Sequence, residues 1–181
     1  MKILVVGLQC CALLGSMAWG GAQADCPQNG AVFDSRTLLT VQLPAQPAQA
    51  FSLADLMALP GDSFNFGRSV EQAGRKEEQT TRYTGVRLRE VLARAGLDEA
   101  RNRAARGWVV ELIATDNYRA VFSWGELFNH AASDSVVVIY AQNGQPLDTV
   151  AGPLALRALT DQRPGPRHVR NLCAVRVREL P

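Results

Sequence analysis

The sequence predicts one α+β domain built on mixed or antiparallel sheets, with short helices between the strands. Apolar runs of strand length recur along the chain, and residues 136–141 form the most continuous of them. Turn signals punctuate these runs, notably Asn143-Gly144 and Gly152-Pro153. No internal repeat or low-complexity tract divides the 181 residues, so the pattern indicates a single domain.

The chain before residue 61 predicts one strand and one helix. Residues 41–43 alternate between apolar and polar side chains just before a proline, which is typical of a short edge strand. Ser52 is well placed to cap a helix through Leu53 and Leu56. The helix should end at Pro60-Gly61, because proline and glycine stop helices.

The next segment predicts a strand, a loop and a helix. Phe64 and Phe66 alternate as in a strand, and the polar run over residues 67–81 that follows predicts an exposed surface loop. Residues 86–95 then place five apolar side chains on one face of an amphipathic helix. Gly96 is positioned to end that helix.

The second half of the chain is dominated by strands. An Arg-rich polar helix over residues 98–106 precedes them. The predicted strands are residues 108–114, 119–122, 136–141, a short apolar run after Gly152-Pro153, and the alternating run 175–180. Residues 115–118 should form the turn between the first two of these strands.

The N-terminus resembles a secretory signal peptide. Lys2 is the only charged residue before Asp25, an apolar run covers residues 3–19, and Ala22-Gln23-Ala24 has the small-x-small pattern of a cleavage site. We therefore expect residues 1–24 to be removed. Residues 25–181 should then be a soluble exported domain, periplasmic in location.

Two cysteines remain after such a cleavage, Cys26 and Cys173. Two cysteines in an oxidising compartment most often pair, so we expect a disulfide between the mature N-terminus and the last strand. The alternative is that Cys173 is an apolar core residue and Cys26 a free thiol.

Composition argues against several functions. Lys and Arg number 19 and Asp and Glu 17, and a net charge of +2 is too small for a nucleic-acid binder. The sequence contains no Gly-x-Ser-x-Gly nucleophile motif, no zinc-ligand spacing and no glycine-rich phosphate loop. His130 is expected to complement the charge at the end of a short helix.

A group of cationic and polar side chains lies near the C-terminus. Its members are Asp161, Arg163, Arg167, His168 and Arg170. Such a group beside a turn suits an anionic or hydrogen-bond-rich ligand. A solvated basic loop is the alternative interpretation.

Three motifs in order resemble the molybdopterin-binding domain of the sulfite oxidase family and its small bacterial relatives. The turn and strand Gly152-Pro153-Leu154-Ala155-Leu156, followed by Arg167-His168-Val169-Arg170, resembles the end of that domain. Tyr83-Thr84-Gly85-Val86 resembles its helix start. Asp116-Asn117-Tyr118, with Trp124-Gly125-Glu126-Leu127 after it, resembles its Asp-Gly-Tyr strand and short helix. The resemblance covers residues 50–180 and implies the sulfite oxidase molybdopterin-domain fold.

The resemblance also implies a pterin pocket. The expected cofactor-binding residues are Asp116, Tyr118, Trp124, Arg157, Asp161, Arg167, His168 and Arg170. Trp124 would stack on the planar ring, the aspartates would accept hydrogen bonds from its amino-pyrimidine edge, and the arginines would bind its polar edge and tail. Core packing remains the alternative for the aromatic side chains, and a turn role for Asp116. The polar run 67–81 becomes a candidate pocket lid.

Two departures from the family pattern bear on function. Catalytic members carry a cysteine that ligates molybdenum, whereas residues 63–82 of this chain contain no cysteine. Ala155 stands where the family motif has an arginine, and Arg157, two residues later, would lie on the same side of a strand. Without a protein thiolate we expect no metal.

The resulting hypothesis is an exported module that binds a free reduced pterin. It resembles small exported proteins that report to the periplasmic domain of a membrane-bound cyclic di-GMP enzyme. The alternatives are a molybdopterin-dependent oxidoreductase, or a subunit of one, and a partner-binding protein with a vestigial pocket.

Overall fold

The structure is a computed structural model that describes Cys26 and residues 36–72, 74–97, 103–163 and 165–180. Its strands are β1 (Thr37–Gln42), β2 (Gln49–Ser52), β3 (Gly61–Gln72), β4 (Arg75–Arg87), β5 (Trp108–Ala114), β6 (Arg119–Ser123), β7 (Val136–Gln142), β8 (Gln145–Pro146), β9 (Ala155–Ala158) and β10 (Leu172–Glu179). Its α-helices are α1 (Leu53–Met57), α2 (Leu88–Arg94) and α3 (Trp124–Phe128). The predicted α+β class is confirmed, since short helices accompany two mixed or antiparallel sheets.

The first sheet has the strand order β2-β1-β10-β5-β6. β1 pairs in parallel with β10, with Val41 opposite Val175, and the remaining pairs are antiparallel. The edge-strand prediction for residues 41–43 is therefore wrong, because β1 lies between β2 and β10. β10 begins at Leu172, three residues before the predicted start. The predicted strand over residues 108–114 is confirmed as β5, and all seven of its residues are buried, including Glu111, which pairs with Arg119 of β6.

The second sheet has the order β3-β4-β7-β8, and β9 pairs with β7. β3 and β4 form a long hairpin that runs without a register shift from Gly61 opposite Val86 to Gln72 opposite Arg75. The predicted exposed loop over residues 67–81 is thus wrong. The described side chains of residues 67–69 and 75–80 are exposed and mainly polar, so the segment lacks the apolar alternation that marks a strand.

The core lies where the helices pack on the sheets. α2 buries Leu88, Val91 and Leu92 in it, and Gly96 follows with the left-handed φ of +99° expected of a helix stop. α1 and α3 each begin with a capping box, from Ser52 and Ser123.

Two predictions fall wholly or partly outside the described residues. The predicted signal peptide, residues 1–24, lies wholly outside them. The predicted polar helix, residues 98–106, lies outside them up to residue 102, and residues 103–107 form a short 3-10 helix. Within the described part of the chain, no helix is long and apolar enough to cross a membrane. The predicted disulfide is confirmed between Cys26 and Cys173, whose Cα atoms are 5.1 Å apart.

Candidate ligand-binding site

A two-lobed cleft lies where the long hairpin meets β9 and the loops before β10. The first lobe has a volume of about 400 Å³ and the second about 350 Å³. Both lobes are lined by Val150, Gly165, His168 and Arg170, so they form one continuous site.

One wall of the first lobe is a single face of the hairpin. Because side chains alternate along a strand, Phe66 and Arg68 of β3 share this face with the β4 residues Gln79, Thr81 and Tyr83. Arg68 donates hydrogen bonds from Nε and Nη2 to Oε1 of Gln79 across the hairpin, at 3.2 and 2.9 Å. The wall therefore presents a guanidinium, an amide and two aromatic rings to the cleft.

Arg157 of β9 lies at the base of this wall. Its guanidinium carbon is 5.2 Å from the ring centroid of Phe66 and 5.0 Å from that of Tyr83, which is cation–π distance. Its Nε is buried and has no hydrogen-bond partner among the described residues. Burial lowers the pKa of Arg157, and the charges of Arg68 and Arg170 lower it further.

His168 lies beside these arginines and is held neutral. Burial lowers the pKa of His168 to about 4, with the charges of Arg157 and Arg170 acting in the same direction. At neutral pH the imidazole therefore offers one hydrogen-bond donor and one acceptor to the cleft.

The arginines of the cleft are not paired with any carboxylate in the described part of the chain. None of Arg68, Arg157 and Arg170 forms an ion pair with a described carboxylate. Asp148 lines the first lobe, but its Oδ1 accepts hydrogen bonds from the backbone N–H groups of Val150 and Ala151 at 3.0 and 2.7 Å. An anionic group would complement this arrangement.

The second lobe carries an aromatic face and a carboxylate. Asp116 Oδ1 accepts from the N–H of Tyr118 at 2.9 Å, and Asn117 between them has a φ of +65°. The hydroxyl of Tyr118 donates to the carbonyl of Pro166 at 2.7 Å, while 42% of the residue stays exposed. This turn holds a flat aromatic surface at the mouth of the lobe.

The turn that begins β9 requires a glycine. Gly152 has a φ of +78°, and a Cβ atom on it would lie 2.1 Å from Oδ1 of Asn171, which lines the second lobe. A side chain at residue 152 would push Asn171 into new positions, so the glycine shapes this end of the cleft.

The structure brings five of the eight predicted site residues together. Asp116, Tyr118, Arg157, His168 and Arg170 all line the cleft. Trp124, Asp161 and Arg167 lie elsewhere, which corrects the expectation that all eight surround one pocket.

Arg167 belongs to an ion-pair network on the α3 side of the loop. It makes a bidentate contact with Asp161, donates from Nη1 to Oε1 of Glu126 at 2.6 Å, and lies 4.4 Å from the ring centroid of Phe122. Burial alone would raise the pKa of Glu126, but hydrogen bonds from Ser123 and Arg167 outweigh it and lower the pKa. The charges of Arg167 and Asp161 are thus committed to each other rather than to a ligand.

A separate cavity of about 220 Å³ lies beside this network, and His130 lines it. Nδ1 of His130 accepts a hydrogen bond from the N–H of Ala132 at 3.1 Å. Its imidazole therefore takes part in the turn that follows α3.

Trp124 packs into the protein rather than lining the cleft. Its ring stacks on Phe128 at a centroid separation of 5.5 Å, and the guanidinium carbon of Arg106 lies 5.9 Å from it. It also packs against the main core. The alternative of core packing is therefore the one that the structure supports for this residue.

Sequence reasoning missed the hairpin wall of the cleft. Arg68, Gln79 and Thr81 lie in the run that was predicted to be a loop, and Tyr83 was used only as part of a motif. The alternation of Phe64, Phe66 and Arg68 was the available signal, since it continues the strand period into the polar run.

The donors of the cleft fit a pterin cofactor better than they fit its metal. Arginines and a neutral histidine suit the polar edge and anionic tail of molybdopterin. The described cysteines are Cys26 and Cys173, both in the disulfide, and no described group of three or more His, Cys, Asp or Glu residues could hold a metal ion. The described residues thus offer no thiolate for molybdenum.

Comparison with known proteins places this architecture in a family. Among solved structures, the sulfane dehydrogenase SoxCD from Paracoccus pantotrophus is similar in fold, with a TM-score of 0.57 and 18% identity over 82% of this chain and 40% of that chain. The present chain therefore spans less than half the length of that protein. No curated protein sequence matches the chain.

The family comparison covers nearly all of the described structure. The model of the oxidoreductase molybdopterin-binding domain matches residues 34–181, a range that includes both sheets and every residue of the cleft. The predicted sulfite oxidase-type fold is thereby confirmed. The chain belongs to the family of oxidoreductase molybdopterin-binding domains.

Proposed function

We propose that this chain is an exported pterin-binding module that binds its ligand without a metal. The observation that carries the proposal is the cluster of Arg157, Arg170 and neutral His168, which has no described carboxylate partner and opens next to the exposed ring of Tyr118. The family implies a pterin-type cofactor, and the described residues lack a free thiolate to hold its metal.

Each part of the cleft has a role in this proposal. Tyr118 provides the aromatic surface on which a planar pterin stacks, and Asp116 accepts hydrogen bonds from the amino-pyrimidine edge. Arg157 and Arg170 bind an anionic or carbonyl-bearing part of the ligand. His168 serves as a neutral donor or acceptor between them.

The cellular part of the proposal rests on the sequence. The signal-like segment over residues 1–24 supports export to the periplasm, where a disulfide such as Cys26–Cys173 is stable. A pterin sensor there would report to the periplasmic domain of a membrane-bound cyclic di-GMP enzyme, as the small exported proteins that it resembles do.

The second candidate is a molybdopterin-dependent oxidoreductase or a subunit of one. The family match favours it, because the family description names an oxidoreductase domain. It would require a metal ligand other than the thiolate that residues 63–82 lack.

The test is to identify the ligand. Mass spectrometry of the small molecule that co-purifies with the exported protein should give a free pterin, and titration calorimetry with a tetrahydropterin should show one site per chain. Co-purification of a molybdenum-loaded pterin would favour the second candidate, and an empty protein that binds no pterin would contradict both.

A further inference from the structure

The outer half of the β3–β4 hairpin is an arm that pairs with no other described strand. We define the arm as residues 67–72 and 75–80. β4 pairs with β7 only from Tyr83 onward, and β3 has β4 as its neighbour on the sheet path. Residues 67–69 and 74–80 are exposed. A two-stranded ribbon of this kind is only marginally stable in water.

The arm nevertheless forms part of the cleft. Arg68 and Gln79 sit opposite each other on the two strands, and both line the first lobe together with Arg157 and Arg170 of the body. The hydrogen bonds of Arg68 go to the neutral amide of Gln79, so no described side chain of the arm neutralises its charge.

Like charges therefore face each other across the junction between arm and body. Arg68 and Arg170 both lie close enough to Arg157 to disfavour its charged form. In the absence of an anion, this repulsion opposes close approach of the arm to the body. An anion placed among the three guanidiniums reverses the sign of the interaction, because each arginine then contacts an opposite charge.

We propose that the arm is a ligand-held flap, in which an anionic group bound by Arg157 and Arg170 also binds Arg68 and so fixes the arm against the body. The inference rests on the proposed pterin-binding function. It assigns Arg68 as a ligand-binding residue and makes the order of the arm depend on an anionic substituent of the pterin, since a neutral pterin supplies no negative charge to offset the repulsion among the three arginines.

The experiment is hydrogen–deuterium exchange on the exported, disulfide-bonded protein. The probes are 6-carboxypterin, which carries an anionic group, and 6-hydroxymethylpterin, which lacks it. Amides of the arm should exchange rapidly in the free protein and become protected in 6-carboxypterin, because exchange from a frayed ribbon reports local opening. The neutral probe should bind more weakly and leave the arm unprotected.

Two matched variants locate the effect. Arg68→Gln should weaken 6-carboxypterin binding by about tenfold or more, since it removes a charge-assisted hydrogen bond, and should abolish protection of the arm. Arg75→Gln makes the same charge change at the tip of the hairpin, outside the lining of the cleft, and should leave affinity within about twofold.

The possible results distinguish failure of the flap inference from failure of the proposed pterin-binding function. If 6-carboxypterin binds but the arm stays unprotected, or if Arg68→Gln and Arg75→Gln behave alike, the flap inference fails and pterin binding stands. If neither pterin binds, the proposed function and the flap inference fail together.

Discussion

The guanidinium carbon of Arg157 lies 5.0 Å from the centroid of the Tyr83 ring. Arg157 belongs to β9 and Tyr83 to β4, and both strands pair with β7, so the contact crosses the strand between them. Phe66 contributes a second ring at 5.2 Å. Two aromatic residues at the root of the hairpin thus fix the position of the most buried cation in the cleft.

Loss of this aromatic contact should weaken ligand binding through Arg157. Tyr83→Leu removes a cation–π interaction of about 0.5–2 kcal/mol, so affinity for 6-carboxypterin should fall about two- to thirtyfold in titration calorimetry. Tyr140→Leu is the control, because Tyr140 packs against the main core and does not line the cleft. Equal losses in the two variants would argue against the role assigned to Tyr83.

The low pKa of His168 should make stability depend on pH. The pKa is lowered from 6.5 to about 4 in the folded protein, so between these values the unfolded chain binds more protons than the folded one. The free energy of unfolding should therefore decrease as the pH falls from 6.5 to 4, and this contribution should level off below pH 4.

Urea unfolding at several pH values measures this effect. His168→Gln should flatten the decrease, because the glutamine does not titrate. A parent and a His168→Gln variant with the same slope between pH 6.5 and 4 would contradict the prediction.

Reduction of the Cys26–Cys173 disulfide should destabilise the domain. The bridge links residues 147 positions apart, and release of such a long loop raises the entropy of the unfolded chain. Reductant should lower the free energy of unfolding by about 2–5 kcal/mol. A double Cys26→Ala, Cys173→Ala variant should be insensitive to reductant, and sensitivity in that variant would show that another effect is being measured.

Tyr118 and Trp124 should respond differently to substitution. Tyr118→Leu removes the stacking surface in the second lobe, which is worth about 0.5–1.5 kcal/mol, so pterin affinity should fall about two- to tenfold. Trp124→Leu should instead lower stability by about 1–3 kcal/mol, because its ring packs on Phe128 and the main core, and should keep affinity within about twofold. If calorimetry instead showed that Trp124→Leu loses pterin affinity, and thermal unfolding showed that its stability is unchanged, Trp124 would belong to the binding site.

The purified protein should carry no stoichiometric molybdenum. A pterin dithiolene normally needs a protein thiolate to complete the metal site, and the described cysteines are joined in the disulfide. Elemental analysis of the protein purified from its native host should therefore find far less than one molybdenum atom per chain. A value near one would support the oxidoreductase alternative.

Local patterns were sufficient to predict much of the fold. The strand β5, the helix cap at Ser52 and the glycine stop at Gly96 are each decided by neighbouring residues, and each was predicted correctly. The pairing of Cys26 with Cys173 was likewise predictable, because two cysteines remain once a signal-like segment is set aside.

The tertiary structure decided what depends on distant partners. The outer hairpin was not predicted, because a ribbon exposed on both faces has no apolar period and is held by backbone pairing between residues such as Arg68 and Gln79. Adjacent residues of one motif also have different partners. Arg167 binds Asp161 and Glu126, whereas His168 lines the cleft. Sequence alone identified the cationic loop near the C-terminus; which of its charges are neutralised by neighbours, and which remain free to bind a ligand, depended on the packing of β4, α3 and β9 around it.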